Sequence, residues 1–204
     1  MGSGSTLSRA GLALAAGLLV ARFAAPAAAP GLVGVRIETA VGDILVEIDA
    51  KRAPVTSANF LRYVDAARYD GGRFHRTVRL DNQPGQNVLI EVVQAGVDPA
   101  HESEDSPPIP LERTSVTGLA HTDGALSMAR DSADTATSDF FICIGNQAAL
   151  DFGGRRNPDR QGFAAFGRVV KGMDVVRRIQ MAPADGQGLA PPVPIRRIHR
   201  LPVP

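Results

Sequence analysis

The sequence predicts a mainly β protein whose short antiparallel strands form a closed or nearly closed barrel covered by two helices. Six or more short runs rich in β-branched and aromatic residues are separated by turn signals, and only two segments have helical spacing. Twenty-one Gly and 15 Pro accompany an aromatic content of only 5%, which indicates many turns. This combination favours a barrel over an all-helical fold.

Composition limits the partners that the chain can have. With 44% hydrophobic residues, 204 residues can bury one full core, so we expect one domain. The formal net charge is only +1, from 22 Lys and Arg against 21 Asp and Glu. This balance predicts no broad basic surface for nucleic acid or anionic lipid.

The N-terminal residues 1–29 are predicted to be a secretory signal peptide. The apolar run Ala10 to Val20 is too short to span a bilayer, and "APAAAP" supplies small residues for cleavage near Ala27 or Ala29. An uncleaved membrane tether is the competing interpretation. We expect residues 30–204 to be a periplasmic or secreted domain that has no membrane contact once the signal is removed.

Cys143 is the only cysteine, which excludes an internal disulfide. It lies inside the apolar run Phe140 to Ile144. We therefore expect a buried, inert thiol and not a nucleophile.

Two strands and two helices have the clearest local signals. The runs Val33 to Thr39 and Ile44 to Asp49 flank "AVGD" and predict a hairpin. A helix follows, because Pro54 suits a first helical turn. Its apolar residues Val55, Ala58, Leu61 and Val64 have the spacing of one buried face. A second helix is predicted at "GMDVVRRIQ", beginning near Gly172.

Further strands are predicted around Phe74 to Arg76 and in "VLIEVVQAG", "ALSMA", "FFICI" and "FAAFGRVV". The polar segments Arg79 to Asn87 and Asp98 to Pro110 are predicted loops, as is "APADGQGLAPPVP" near the C-terminus. A small and acidic stretch, Asp131 to Asp139, directly precedes two adjacent phenylalanines.

Three segments resemble the signature blocks of cyclophilin-type peptidyl-prolyl cis-trans isomerases, in the family's order: "TSANFLRYVDAARYDGGRFHRTV", "GALSMARDSADTATSDFFI" and "FAAFGRVVKGMDVV". The resemblance covers roughly Val35 to Ile179. It implies a closed eight-stranded antiparallel barrel capped by two helices, and an enzyme that accelerates X-Pro rotation without metal or cofactor. The implied partners are proline-containing unfolded or exported polypeptides, and we expect a monomer.

The resemblance also implies the site residues. Arg76, in "FHR", matches the family's catalytic arginine, which stabilises the twisted amide. Arg130 to Ser138 would form the groove rim, with Phe140 facing the core and Phe141 facing the pocket. The implied substrate-binding residues are Phe141, Gln94, Val92, Ala129, Arg130, Leu150 and Phe163.

Departures from the family pattern keep a second interpretation open. The segment between Arg76 and Gln94 is longer than usual, Glu91 and Val92 stand where phenylalanine and methionine are expected, and Ala149 replaces a tryptophan. These changes are consistent with a catalytically weak proline-peptide-binding module or chaperone. Ile90 could compensate for the Glu91 and Val92 departures through a register shift.

Two other chemistries are weakly indicated. Ser127, Ser138 and His121 could be combined into a hydrolase site, but no G-x-S-x-G elbow surrounds either serine. The residues His101, Glu102, Glu104 and Asp105 could suggest a metal site, but no second histidine has ligand spacing, which favours a solvated loop. His75 is expected to be structural, because isomerisation transfers no proton.

Overall fold

The computed structural model describes residues 1–2 and 31–202, without the side chains of residues 102–104. The predicted signal peptide, residues 1–29, therefore lies outside the described residues except for its first two. Within the described part of the chain, no helix is both long enough and apolar enough to cross a bilayer.

Eight antiparallel strands close into a barrel, which confirms the predicted fold class. In spatial order the strands are β1 (Leu32–Thr39), β2 (Gly42–Asp49), β7 (Ala164–Lys171), β5 (Ala125–Met128), β6 (Phe140–Cys143), β4 (Val92–Gly96), β3 (Arg73–Val78) and β9 (Gly188–Arg200). β1 pairs with both β2 and β9, so the ring closes and leaves no open edge. The two-residue β8 (Ala184–Asp185) pairs with β9 beside the ring.

Two helices cover the barrel, α1 (Pro54–Asp65) and α3 (Met173–Gln180), and the single turn α2 (Thr114–Thr117) lies between them in sequence. Pro54 occupies the first turn of α1, as predicted. Gly172 precedes α3 with φ of +98°, a conformation that other residues rarely adopt. The short turn α2 was not expected, because four residues carry no helical period.

The predicted buried face of α1 is partly wrong. Val55 is 40% exposed and Ala58 is exposed, whereas Phe60 and Tyr63 are buried beside Leu61 and Val64. The larger aromatic side chains remove more apolar surface from water than Val55 and Ala58 would, so they determine which face of the helix packs against the barrel.

Aromatic side chains fill the barrel interior. Phe60 lies with its ring centroid 5.4 Å from Tyr69, 5.4 Å from Phe140 and 5.1 Å from Phe166. The buried hydroxyl of Tyr69 donates to the carbonyl of Ser138 at 2.6 Å. Burial raises the pKa of Tyr69 well above its ordinary value, so this donor keeps its proton and secures the end of the polar stretch.

A second, smaller apolar cluster lies on the outer side of β4 and β6. It consists of Val78, Ile90, Val92, Ala125, Phe141, Cys143 and Leu150, with Ala129, Ala149 and Phe163 packed against it. Phe140 belongs to the main core and Phe141 to this cluster. The two neighbours thus point to opposite faces of β6, as the alternation of a strand requires.

Two predicted boundaries need correction. The segment "APADGQGLAPPVP" is not a loop. Its first half contains β8 and its second half is the start of β9, so both halves contribute to the sheet. Its prolines can sit in β9 because its N-terminal half pairs irregularly with β3, and the carbonyl of Pro194 still accepts from Ala40 at 3.0 Å.

The strand predicted from residue 88 begins only at Val92. The backbone groups of Ile90 form hydrogen bonds with the side chain of Gln83 and not with a neighbouring strand. Its amide nitrogen donates to the Ile90 carbonyl at 2.8 Å, and its oxygen accepts from the Ile90 amide at 3.2 Å. Hydrogen bonds from a side chain of the loop from 79 to 91 therefore hold its own backbone in place.

Candidate active site

All eight predicted site residues line one cleft on the outside of the barrel, with a volume of about 390 Å³. They are Arg76, Val92, Gln94, Ala129, Arg130, Phe141, Leu150 and Phe163. A wider depression of about 680 Å³ lies beside α1. Its charged residues are already engaged, because Asp65 pairs with Arg200 at 2.6 Å and Arg62 donates to Asn59 Oδ1 at 2.7 Å.

Strand register places the key side chains in one row. Arg76 on β3 lies opposite Gln94 on β4, and Gln94 lies opposite Phe141 on β6. Residues opposed across antiparallel strands have Cβ atoms about 4.5–5.5 Å apart. A guanidinium, an amide and an aromatic ring therefore meet although they are far apart in sequence.

Arg76 is held from two sides. Its Nη1 donates to Gln94 Oε1 at 3.1 Å, and its Nε and Nη2 donate to Gln187 Oε1 at 2.9 and 2.6 Å. Burial lowers the pKa of Arg76, but a guanidinium remains charged at neutral pH. The site thus contains a fixed cation that is partly removed from water.

Asp139 orients the amide of Gln94. Gln94 Nε2 donates to Asp139 Oδ2 at 2.8 Å, so the amide oxygen must face Arg76. His75 Nε2 lies 3.1 Å from the same carboxylate oxygen, which gives His75 the structural position expected for it. A side chain at Gly96 would collide with Asp139, so the close approach of this carboxylate requires glycine there.

Gln187 carries no local signal in the sequence, because it lies in the segment predicted to be a loop. Its Nε2 donates to the Asn82 carbonyl at 3.1 Å. Asn82 in turn donates through Nδ2 to the carbonyls of Thr77 and Gly186, both at 3.0 Å. The loop from 79 to 91 thereby supports the residue that holds Arg76.

The apolar half of the cleft is built around Phe141. Phe163 lies edge-on to it, with centroids 5.4 Å apart and planes at 90°. Ile90, Val92 and Leu150 line the same space. Glu91 points elsewhere and accepts from Gln180 Nε2 at 3.0 Å, so Ile90 provides the apolar surface that Glu91 cannot.

The side chain of Arg130 serves the structure of the rim. It is only 1% exposed, donates to the carbonyl of Gly162 at 2.6 and 2.8 Å, and pairs with Asp159 at 2.8 Å. Its guanidinium also lies 5.0 Å from the ring centre of Phe163. Arg130 can therefore offer its backbone to a ligand, while its side chain fixes the loop that carries Phe163.

Ser127 and His121 belong to a buried hydrogen-bond network behind Phe141. His121 lies 2.9 Å from Ser127 Oγ and 2.7 Å from Asp151 Oδ1, and its ring stacks on Phe141 at 6.0 Å. Ser127 is 0% and His121 1% exposed, so no carbonyl substrate can reach the hydroxyl. Ser138 instead donates to Asp105 at 2.8 Å. These contacts support Phe141 and form no hydrolase site.

Comparison with known proteins agrees with this geometry. The family model described as cyclophilin type peptidyl-prolyl cis-trans isomerase/CLD matches residues 34–200. A peptidyl-prolyl cis-trans isomerase of Acinetobacter baylyi is 35% identical over 161 residues, which cover 78% of each chain. Peptidyl-prolyl cis-trans isomerase 10 of Caenorhabditis elegans is 31% identical over 157 residues, 75% of this chain and 85% of that one.

Solved structures show the same fold. A cyclophilin type isomerase of Cryptosporidium parvum has a TM-score of 0.68 at 22% identity, covering 85% of this chain and 99% of that one. A structure with that isomerase in the presence of the dipeptide Ala-Pro has a TM-score of 0.66. Because relatives occur in bacteria and eukaryotes, the similarity supports the family and not a particular exported branch. The chain belongs to the cyclophilin-type peptidyl-prolyl cis-trans isomerases.

Proposed function

We propose that this isomerase uses Arg76 as an electrostatic catalyst of X-Pro rotation in unfolded or exported polypeptides. The rotation barrier is about 18–20 kcal/mol, because the C–N bond has partial double-bond character. As the bond twists, the nitrogen lone pair localises and becomes a better hydrogen-bond acceptor. A donor aimed at that nitrogen binds the twisted state more strongly than either planar state and so lowers the barrier.

The observation that carries this proposal is the fixed guanidinium beside an apolar surface. Arg76 is held by Gln94 and Gln187 before any substrate arrives, and Phe141 lies next to Gln94 in the register. A proline ring packed on Phe141 would present its nitrogen toward the polar side of the cleft. A preorganised charge in a partly dehydrated site needs little rearrangement during the reaction.

The rim would hold the residue before proline. Ala129 and Arg130 follow β5 and line the cleft, and the side chain of Arg130 is engaged elsewhere. The Ala129 amide already donates to the Asp139 carbonyl at 2.9 Å, so an extended peptide would bind the remaining backbone groups of these two residues. Peptide bond rotation breaks no covalent bond and transfers no proton, so the reaction has no step that requires a metal or an organic cofactor.

We further propose that the mature protein acts as a monomer outside the cytoplasm, on exported chains. The sequence pattern of residues 1–29 supports export. The mass of the protein purified from the extracytoplasmic fraction tests the proposed export and signal removal. A mature chain that begins near residue 28 or 30 supports it, and a full-length chain retained in the cytoplasm contradicts it.

A refolding assay tests the substrate class. Proline isomerisation takes about 10–100 s at 25 °C and limits the refolding of proteins that contain a native cis-proline. Catalytic amounts of residues 31–204 should shorten that slow phase for a denatured model protein. An Arg76→Ala variant that shortens it equally would contradict the proposed role of Arg76.

A further inference from the structure

A second guanidinium in the cleft, that of Arg156, is not used by the proposed reaction. Its Nη1 donates to Gln83 Oε1 at 2.9 Å and to the carbonyl of Val88 at 2.7 Å. Across residues 31–202, no ion pair joins Arg156 to a carboxylate, whereas the nearby Arg130 pairs with Asp159. Burial lowers the pKa of Arg156, and the positive charge of Arg76 lowers it further.

The anchored Nη1 leaves the other edge of Arg156 available. Among the described contacts, Nε and Nη2 have no partner, and these two nitrogens form the edge that binds a carboxylate with two parallel hydrogen bonds. Three arginines line the cleft, and Arg130 is the one that pairs with a carboxylate among the described contacts. An anion placed beside Arg76 and Arg156 would relieve the repulsion between these two charges.

Strand register places Arg156 and the rim at opposite ends of the cleft. Val92 lies opposite Cys143, and Ala95 lies opposite Phe140. The loop from 79 to 91 joins the Val92 end and binds Arg156, whereas the rim from 129 to 139 joins the Phe140 end. The cleft therefore runs from the rim, across the row that holds Phe141, to Arg156.

This direction defines where a substrate would meet Arg156. With the residue before proline on the rim and the ring on Phe141, the following residues extend toward the loop from 79 to 91. An extended chain advances about 3.3–3.6 Å per residue, so one or two residues span that part of the cleft. The acidic residues Asp131 and Asp139 line the rim end, which disfavours a carboxylate before proline.

We propose that Arg156 forms a subsite for a carboxylate, so that the isomerase prefers substrates with Asp or Glu in the first two positions after proline. This inference depends on the proposed function of the cleft. The anchoring by Gln83 and Val88 fixes the guanidinium in place, which limits the side-chain entropy lost when a carboxylate binds.

Matched peptides test the subsite. Exchange NMR at low ionic strength would compare acetyl-Ala-Pro-Asp-Ala-amide with its Asn counterpart, and acetyl-Ala-Pro-Ala-Asp-amide with its own. We expect kcat/KM to be about three- to tenfold higher for the Asp peptide of at least one pair, mostly through KM, as for a partly screened charged hydrogen bond. Added salt should reduce this ratio.

Two variants of adjacent arginines separate a subsite from a general charge effect. Arg156→Gln should bring the Asp to Asn ratio close to one. Arg155→Gln removes the same charge one residue earlier, and Arg155 is exposed and outside the cleft lining, so the ratio should persist. A ratio that survives in Arg156→Gln, or that falls equally in Arg155→Gln, would overturn the proposal.

The wild-type protein alone also gives a decisive result. Equal kcat/KM for the Asp and Asn peptides of both pairs overturns the subsite, whatever the stability of the variants. Failure of the proposed function would give a different result, because the neutral Asn peptides would then show no acceleration that depends on Arg76. The two failures are thus distinguished in one set of spectra.

Discussion

Arg76 donates two hydrogen bonds to a single oxygen atom of Gln187, at 2.9 Å from Nε and 2.6 Å from Nη2. Gln187 lies between β8 and β9, at the far end of the chain from β3. The guanidinium is consequently oriented by a segment that follows the other site residues in sequence. A catalytic donor fixed in this way loses less freedom when the substrate binds.

Replacing Gln187 with Ala removes both of these hydrogen bonds and should lower kcat about tenfold, which corresponds to about 1.4 kcal/mol of transition-state stabilisation. Gln187 does not line the cleft, so KM should change little. Gln187→Glu keeps an acceptor for Arg76 but loses the donor to the Asn82 carbonyl, so it should restore only part of the rate. Steady-state exchange measurements give both constants, and an unchanged kcat in Gln187→Ala would show that Gln94 alone positions Arg76.

The neighbours Phe140 and Phe141 should respond differently to the same substitution. Phe140→Ala removes a core ring and should lower the free energy of unfolding by about 3–5 kcal/mol. Phe141→Ala opens the cleft and should mainly raise KM for Ala-Pro peptides. Urea unfolding and peptide titration measure the two effects. Equal loss of stability with no change in KM would contradict the position assigned to Phe141.

Asp151 should contribute stability that depends on pH. Burial raises the pKa of its carboxyl, but hydrogen bonds from the ring of His121 at 2.7 Å and its backbone at 3.1 Å lower the pKa below its ordinary value overall. A lowered folded pKa gives stability that is present above the unfolded pKa of about 3.9 and is lost as pH falls through the folded pKa.

Asp151→Asn should therefore be less stable than the wild type near neutral pH, and the difference should shrink in acid. Urea unfolding of both proteins at about pH 7 and about pH 3 measures it. A difference of the same size at both pH values would mean that the charge of Asp151 contributes nothing.

The thiol of Cys143 should be unreactive in the folded protein. It is fully buried, and burial raises the pKa of the thiol, so little thiolate forms. Labelling with an aromatic disulfide near pH 8 should proceed only as fast as the protein opens, and rapidly in urea. Immediate labelling without denaturant would contradict the burial of β6.

Much of this architecture could be predicted from local sequence. The hairpin of β1 and β2, the start of α1 at Pro54 and the alternation of Phe140 and Phe141 each follow from a pattern of a few residues. The eight site residues were assigned by resemblance to the family, and the structure brings them into one cleft.

The remaining features depend on long-range contacts. Gln187 and Asp139 act through partners 111 and 45 residues away, and neither has a local signal. The proline-rich start of β9 resembles a loop because its pairing is decided by β3 and β1. Val55 and Ala58 have helical spacing, but the larger rings of Phe60 and Tyr63 determine the buried face of α1.

The most direct test of the account compares wild type, Arg76→Ala and Arg76→Lys by exchange NMR on an Ala-Pro peptide. We expect Arg76→Ala to reduce kcat on the order of a hundredfold or more, as for loss of a preorganised donor, while the free energy of unfolding changes little. Arg76→Lys should recover only part of the rate, because lysine lacks the planar fork held by the two glutamines. Peptide exchange in Arg76→Ala that is as fast as in the wild type would contradict electrostatic catalysis by Arg76.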